Sequence, residues 1–218
     1  MLATDRDILF LEPLIFRDTI WLSQRLCRGT ASINENTLDA SVLDVDFDVA
    51  GVGKGHIVTV GGVSYEVTDA LDSTQLSITR LRFDDEDPGA RPSPVTNAEM
   101  YVMTFRPQLS LVERQIYLMA GLDPDNAPDP IMGPRQPTPS QITNPGSLRH
   151  LNVLGALHLI FTAASFSSLP DSGSARRAAM YRAAFHEERA RVRIELDIDG
   201  DGKPDVVRRL NALMFGRG

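Results

Sequence analysis

Apolar residues recur along this chain with several different spacings, and each change of spacing marks a change in the predicted structure. From 13 to 28 the spacing is helical. Ile15, Thr19, Leu22 and Leu26 share a face, Phe16 and Ile20 widen it, Pro13 suits a first turn and Gly29 a stop. From 30 to 104 the spacing becomes two. It runs through TLDASVLDVDF (Leu38, Ala40, Val42), HIVTVGGVSYEV (Ile57, Val67), QLSITRLRF and EMYVMTF. Turns rich in Gly, Asp or Ser separate these runs at 51–55, 61–62 and 71–74. Gly61-Gly62 predicts a tight hairpin, because two glycines supply the positive φ values such a turn needs. Several short strands joined this way predict a small antiparallel barrel or sandwich.

Helical spacing resumes over 107–120 through Leu111, Ile116 and Met119, with Gly121 as a stop. Seven prolines between 121 and 146 exclude a core helix or strand there. They predict an extended arm, either a surface linker or a segment lying along a neighbouring subunit. SLRHLNVLGALHLIFTAASF (147–166) is apolar almost all round, as a central bundle helix is. In the next helix Ala178, Tyr181 and Phe185 form the buried stripe, while the arginines and Glu187/Glu188 form the wet face. VRIEL and DVVRRLNAL then read as paired strands around an Asp-Gly-Asp-Gly tip. The predicted fold class is α+β: a small α-helical bundle with a C-terminal β-hairpin, plus an inserted small antiparallel β-barrel or sandwich. Residues 1–29 would join the bundle, 30–104 form the β-rich module, and 105–218 form the bundle with its arm (121–146) and tail.

Charge sharpens this division. Residues 30–104 hold thirteen acids against four bases, residues 1–29 balance, and 105–218 carry +2 of the total −7. An acidic module is the reverse of a nucleic-acid grip, which needs a basic stripe to neutralise phosphate. The apolar run 151–166 is too short and too polar to span a bilayer, so no membrane role is expected. Two aspartates stand where a secretion signal would carry positive charge, and Cys27 is the sole cysteine. Together these fit a protein made in a reducing cytoplasm.

The strongest local motif is Asp197-Ile-Asp199-Gly-Asp201-Gly-Lys-Pro-Asp205. Alternating carboxylates, a sixth-position Gly and a ninth-position Asp match the opening of a calcium loop, since a hard cation takes several oxygens. Asp197, Asp199, Asp201 and Asp205 are therefore the candidate calcium ligands. The closing twelfth position is Arg208 where a bidentate Glu is required, so a solvated acidic turn is the competing reading. GVGKG (51–55) lacks phosphate-loop spacing and reads as a turn. His56, His150, His158 and His186 form no pair at metal-ligand spacing, and Cys27 reads as a small buried or interfacial residue. No nucleophile elbow or dinucleotide fingerprint is present, so no catalytic residue and no organic cofactor is assigned.

The order of helices, Pro-rich connection, buried helix, charged helix and RVRIELDIDGDGKPD hairpin resembles the head-to-tail adaptor (connector) proteins of tailed bacteriophages and prophages. The likeness lies in 105–218, most sharply in ARVRIELDIDGDGKPDVVRRLN, and the opening LATDRDILFLEPLIFRD is similar to phage structural proteins. The resemblance implies a non-enzymatic virion subunit at the head–tail junction, made in the bacterial host cytoplasm. It implies a homo-oligomeric ring of about twelve copies below the portal protein. Tail terminator or other tail proteins would dock onto that ring, and DNA would pass through it non-specifically. The β-module would be an insertion relative to the smallest members. Arg208, Arg209, Phe215 and Arg217 are then the candidate partner contacts, along with the hairpin around Asp197–Asp205, the arm and the tail 211–218. Two alternatives remain open: another virion part, such as a tail-completion or baseplate subunit, and a calcium-dependent binding module.

Overall fold

Six strands close on themselves in the computed structural model of the chain, which describes residues 1–84, 86–122, 124, 137–166 and 173–210. They are β1 (Arg25–Asn34), β2 (Thr37–Leu43), β3 (Ile57–Val60), β4 (Val63–Ala70), β5 (Gln75–Thr79) and β6 (Val95–Met103). The order around the barrel is β1-β2-β5-β4-β3-β6, and every neighbouring pair is antiparallel, including the closing pair β6–β1. Closure leaves no exposed sheet edge, and the interior fills with alternate side chains such as Leu38, Val58, Val67, Ile78 and Met100. Of the two sheet forms open to the sequence, the barrel is the one adopted.

The Gly61-Gly62 hairpin forms as predicted between β3 and β4, with φ of 56° and 82° at its two glycines. Along β2 the inward alternation breaks at a bulge. Thr30 faces Val42 and Ala31 faces Ala40, so Ser41 is an extra residue. Beyond it the inward position moves from even to odd numbers. Leu43 packs on the core, and Val42, expected inside, is 64% exposed.

The expected helix over 13–28 does not form. Helix α1 (Asp5–Leu11) ends before it, the single turn α2 (Ile15–Asp18) and a 3-10 turn (Leu22–Gln24) lie within it, and β1 begins at Arg25. Pro13 separates the helices because it restricts the residue before it. Leu22 and Leu26 fit a helical spacing, but Cys27, Ala31 and Ile33 alternate into the barrel, and their small size hides that period in the sequence. Gly29 settles the local geometry, since a β-carbon there would lie 1.8 Å from the Val42 carbonyl oxygen. The chain accordingly divides into a barrel unit, Thr4–Arg106, and a second unit, Met1–Ala3 with Pro107–Gly218. Residues 4–29 thus belong with the barrel, not with the later helices.

In the second unit, α3 (Arg106–Met119), α4 (Gly146–Phe166) and α5 (Gly173–Arg191) precede a two-stranded hairpin, β7 (Arg193–Leu196) and β8 (Val206–Arg209). Helix α4 buries Leu148, Leu151, Val153, Leu154, Leu157 and Ile160, as its all-round apolar sequence requires. Gly155 lets neighbours approach closely, because a β-carbon there would meet Val112 of α3 at 2.5 Å and Phe185 of α5 at 3.0 Å. The tail 211–218, with Phe215 and Arg217, and most of the Pro-rich arm lie outside the described residues.

Gly29→Val is expected to destabilise the barrel unit by about 2–4 kcal/mol, since backbone carbonyl cannot yield as a side chain can. Urea unfolding followed by the fluorescence of Trp21, the only tryptophan, measures this directly.

Candidate functional site

The hairpin tip carries the sequence's most distinctive chemistry. Asp197, Asp199 and Asp205 each bring a carboxylate oxygen within 4.8 Å of the others. Asp201, the fourth candidate ligand, is not in that group; its carboxylate accepts the Lys203 amide at 2.8 Å. The converging carboxylates are themselves occupied. Asp197 accepts the amides of Gly200 (2.6 Å) and Gly202 (2.8 Å), and Asp205 accepts those of Ile198 (2.7 Å) and Asp199 (3.2 Å). Hydrogen bonds from these amides hold the Asp197 carboxyl below its ordinary range. The glycines supply what this turn demands, with φ of 84° at both Gly200 and Gly202. The loop therefore has a fixed shape stabilised by backbone donors.

Arg208, expected at a partner surface, is engaged within its own chain. Its guanidinium donates to the carbonyls of Ala120 (2.6 Å) and Gly121 (3.2 Å), just past the last turn of α3. Those carbonyls lack helical partners, and a cation suits that end of the helix dipole. The twelfth loop position thus serves helix capping, while Arg209 remains exposed. The described end of the Pro-rich arm also docks locally. Thr143 donates its amide to Glu195 (3.0 Å), Asp197 donates to the Gln141 carbonyl (2.9 Å), and Asn144 bonds both Arg193 and Glu195. Residues 141–144 cover one edge of β7; β8 presents an edge paired with no other described strand.

The barrel unit holds buried ionisable groups that no sequence motif announces. Glu66 on β4 is 1% exposed and receives Arg82 Nη2 at 2.8 Å, Arg82 Nε at 3.3 Å and Arg6 Nη1 at 3.2 Å. Asp5 of α1 is fully buried and accepts the Thr104 hydroxyl and the Phe105 amide, both at 2.7 Å. Burial lifts the Asp5 carboxyl to about 7, against the lowering effect of those two donors and of Arg106. His56 is held down to about 4, first by burial and then by the Arg106 charge. Its Nδ1 lies 3.0 Å from both Gly53 N and Gly53 O, and Arg106 Nη2 donates to the Lys54 carbonyl at 2.7 Å. GVGKG is thus a turn whose backbone is committed, as its spacing predicted. Burial pushes the Cys27 thiol up to about 12, which leaves it unreactive inside the barrel.

An apolar groove of about 390 Å³ lies on this unit between α1, the following turn and the β3–β4 hairpin. Leu9, Phe10, Pro13, Leu14 and Val63 line it. Phe10, Leu14 and Val63 are about half exposed, and Phe83, 78% exposed, stacks edge-on against Phe10 with ring centroids 6.5 Å apart. Comparison of the chain with protein-family models, with curated proteins and with solved structures finds no match.

The buried carboxyl and imidazole act on stability with opposite signs. Asp5, raised from about 4 when unfolded, binds more proton in the folded state, so its contribution falls as pH rises from about 4 to about 7. His56, lowered from about 6.5, binds less proton when folded, so its contribution grows from pH about 4 to about 6.5. Asp5→Asn should lower overall stability and leave the rising limb of His56 uncovered. Denaturant midpoints at pH 4.5 and 6.5 (wild type against variant) read the change of slope.

Proposed function

We propose that this protein is a non-enzymatic structural subunit of a phage head-to-tail connector, built to be buried in a ring of its own copies. The observation that carries the assembly reading is the apolar face of the barrel unit. Phe10, Leu14, Val63 and Phe83 form a groove and rim that an isolated molecule would leave in water, and clustered exposure of that kind marks a contact surface. Its occupant in this reading is a second copy of the chain. Charge supports that choice, because the barrel unit holds seventeen acids against nine bases and the remainder carries +1. Two unlike surfaces suit a heterologous contact, the kind that closes into a ring.

The connector identity draws on the order of elements and on the hairpin motif. In this reading α3, α4 and α5 act as the bundle that forms the body of the ring. Portal and tail proteins meet its ends, and the open edge of β8 with exposed Arg209 is available for strand addition by a neighbour. The β-barrel is an added module whose acidic surface discourages phosphate from sticking during DNA passage.

A calcium-dependent binding module is the second reading, favoured by the three converging carboxylates. The amide-capped loop needs no cation to hold its turn, so the thermal midpoint is expected to be the same with EDTA and with millimolar calcium. A calcium-dependent rise that Asp199→Ala abolishes would favour the binding module instead.

Electron microscopy of the purified protein, alone and with a portal ring, tests the main reading. Closed rings of many copies are expected. A Phe10→Glu/Phe83→Glu variant, with both changes at exposed positions, should remain folded by circular dichroism yet elute as a monomer. Wild-type protein that stays monomeric at high concentration and ignores the portal would sink the proposal.

A further inference from the structure

A second groove, of about 510 Å³, runs along the α4–α5 pair and is lined by donors and small residues. His158, Thr162 and Ser165 come from α4; Arg182 and His186 come from α5, with Ala178, Ala179 and Ala183 keeping the floor low. Positions 178, 182 and 186 recur at one helical turn, so Arg182 stands on α5 between His186 and Ala178, whose carbonyl faces His158. Among the described residues no carboxylate lines it. Glu187, next to His186 in the chain, pairs with Arg191. Among the described residues neither Arg182 nor His186 has a hydrogen-bond or ion-pair partner.

The polar side chains are oriented. His158 Nδ1 lies 3.1 Å from the Ala178 carbonyl oxygen, which only accepts, so Nδ1 carries the proton. Thr162 Oγ1, 3.3 Å from the same nitrogen, then accepts and keeps its own hydroxyl proton to give elsewhere. Ser165 donates to the Thr162 carbonyl at 2.7 Å. The surroundings are positive: the described residues of α4 and α5 hold Arg149, Arg176, Arg177, Arg182, Arg189 and Arg191 against Glu187 and Glu188.

We infer that this groove binds a phosphate group, with Arg182 as the principal ligand and His186 and Thr162 as further donors, and that the phosphate belongs to the backbone of duplex DNA. A planar carboxylate would be satisfied by the guanidinium alone, whereas a tetrahedral phosphate uses donors arriving from two helices. The excess of arginine over acid on the two helices that form the groove favours a polyanion over an isolated ion. One such contact per subunit would be weak and salt-sensitive, compatible with DNA that must keep moving. The choice of DNA as source rests on the connector reading; the phosphate site itself does not.

Two titrations of the full-length chain test this. In the first, inorganic phosphate is added at fixed pH while the histidine ring signals are followed by NMR. Those of His158 and His186 should shift and saturate in the millimolar range, while His56 inside the barrel unit stays still. Arg182→Gln should weaken binding about tenfold or more. In the second, a fluorescent duplex is titrated at low salt. Arg182→Gln should reduce its affinity and flatten the salt dependence. Saturable phosphate binding without duplex binding identifies a free-phosphate site and removes DNA as the source. Neither phosphate nor duplex responding to Arg182→Gln overturns the inference. Because Arg182 is exposed, ring formation should survive the substitution, so failure here is distinct from failure of the assembly reading.

Discussion

The barrel unit depends on β6, the strand that pairs on both sides and closes the circle. It hydrogen-bonds β1 along one edge and β3 along the other, and it sends Met100 and Val102 into the core. Its end is then fixed by a carboxyl placed in the interior. Asp5 takes the Thr104 hydroxyl and the Phe105 amide immediately after the strand, so α1 is tied to the point of closure. Glu66, two strands away in barrel order, fastens the same helix through Arg6 and the segment after β5 through Arg82. Desolvating such groups is costly, and a buried ion pair often adds little net stability compared with apolar packing. Removing one partner is a different matter, costing about 3–5 kcal/mol because the remaining charge is stranded. The clasp therefore makes one arrangement of the N-terminal segment much better than its alternatives.

That distinction explains which parts of the fold were legible in the sequence. The β3–β4 hairpin was readable because its determinant is local: two adjacent glycines adopt the positive φ angles that the turn needs. Helix α4 was readable because a long, uniformly apolar segment has few other places to go. Strand β1 was not, since its inward residues are small and its glycine is required by the approach of Val42 on the neighbouring strand β2. The Glu66 clasp left no local trace at all. Its partners lie 60 and 16 residues away, and those of Asp5 about 100 residues away, so no window of sequence holds both halves.

The acidic hairpin shows the same limit at a candidate site. Its carboxylates were visible as a pattern, and three of them do converge. What the pattern concealed was the competition for their lone pairs, which the loop's own amides largely win. Arg208 looked like a defect in a calcium loop. In the fold it is the residue that joins the hairpin to the end of α3, a role set by a contact 88 residues distant. The arm 121–146, read from composition alone, offered a choice between linker and partner arm. In its described part Asn144 and Thr143 bond to the backbone of β7 in the same chain, an anchoring that composition did not announce.

The two grooves place different demands on a neighbour. The barrel groove offers rings and aliphatic side chains with few polar partners, so its stabilisation comes from water released over a well-matched apolar surface. The α4–α5 groove offers donors held in place by a carbonyl and a helix turn, and its stabilisation would be electrostatic, reduced by salt. In the connector role proposed above, a subunit that holds its copies firmly while letting a polyanion slide past would need those two kinds of interaction kept apart. An apolar contact is nearly indifferent to ionic strength and can fix the assembly. In that proposal a single arginine with its flanking histidine and threonine would touch each passing phosphate without retaining it. Separating the two on different units, one acidic and one weakly basic, lets a change in salt loosen the second without loosening the first.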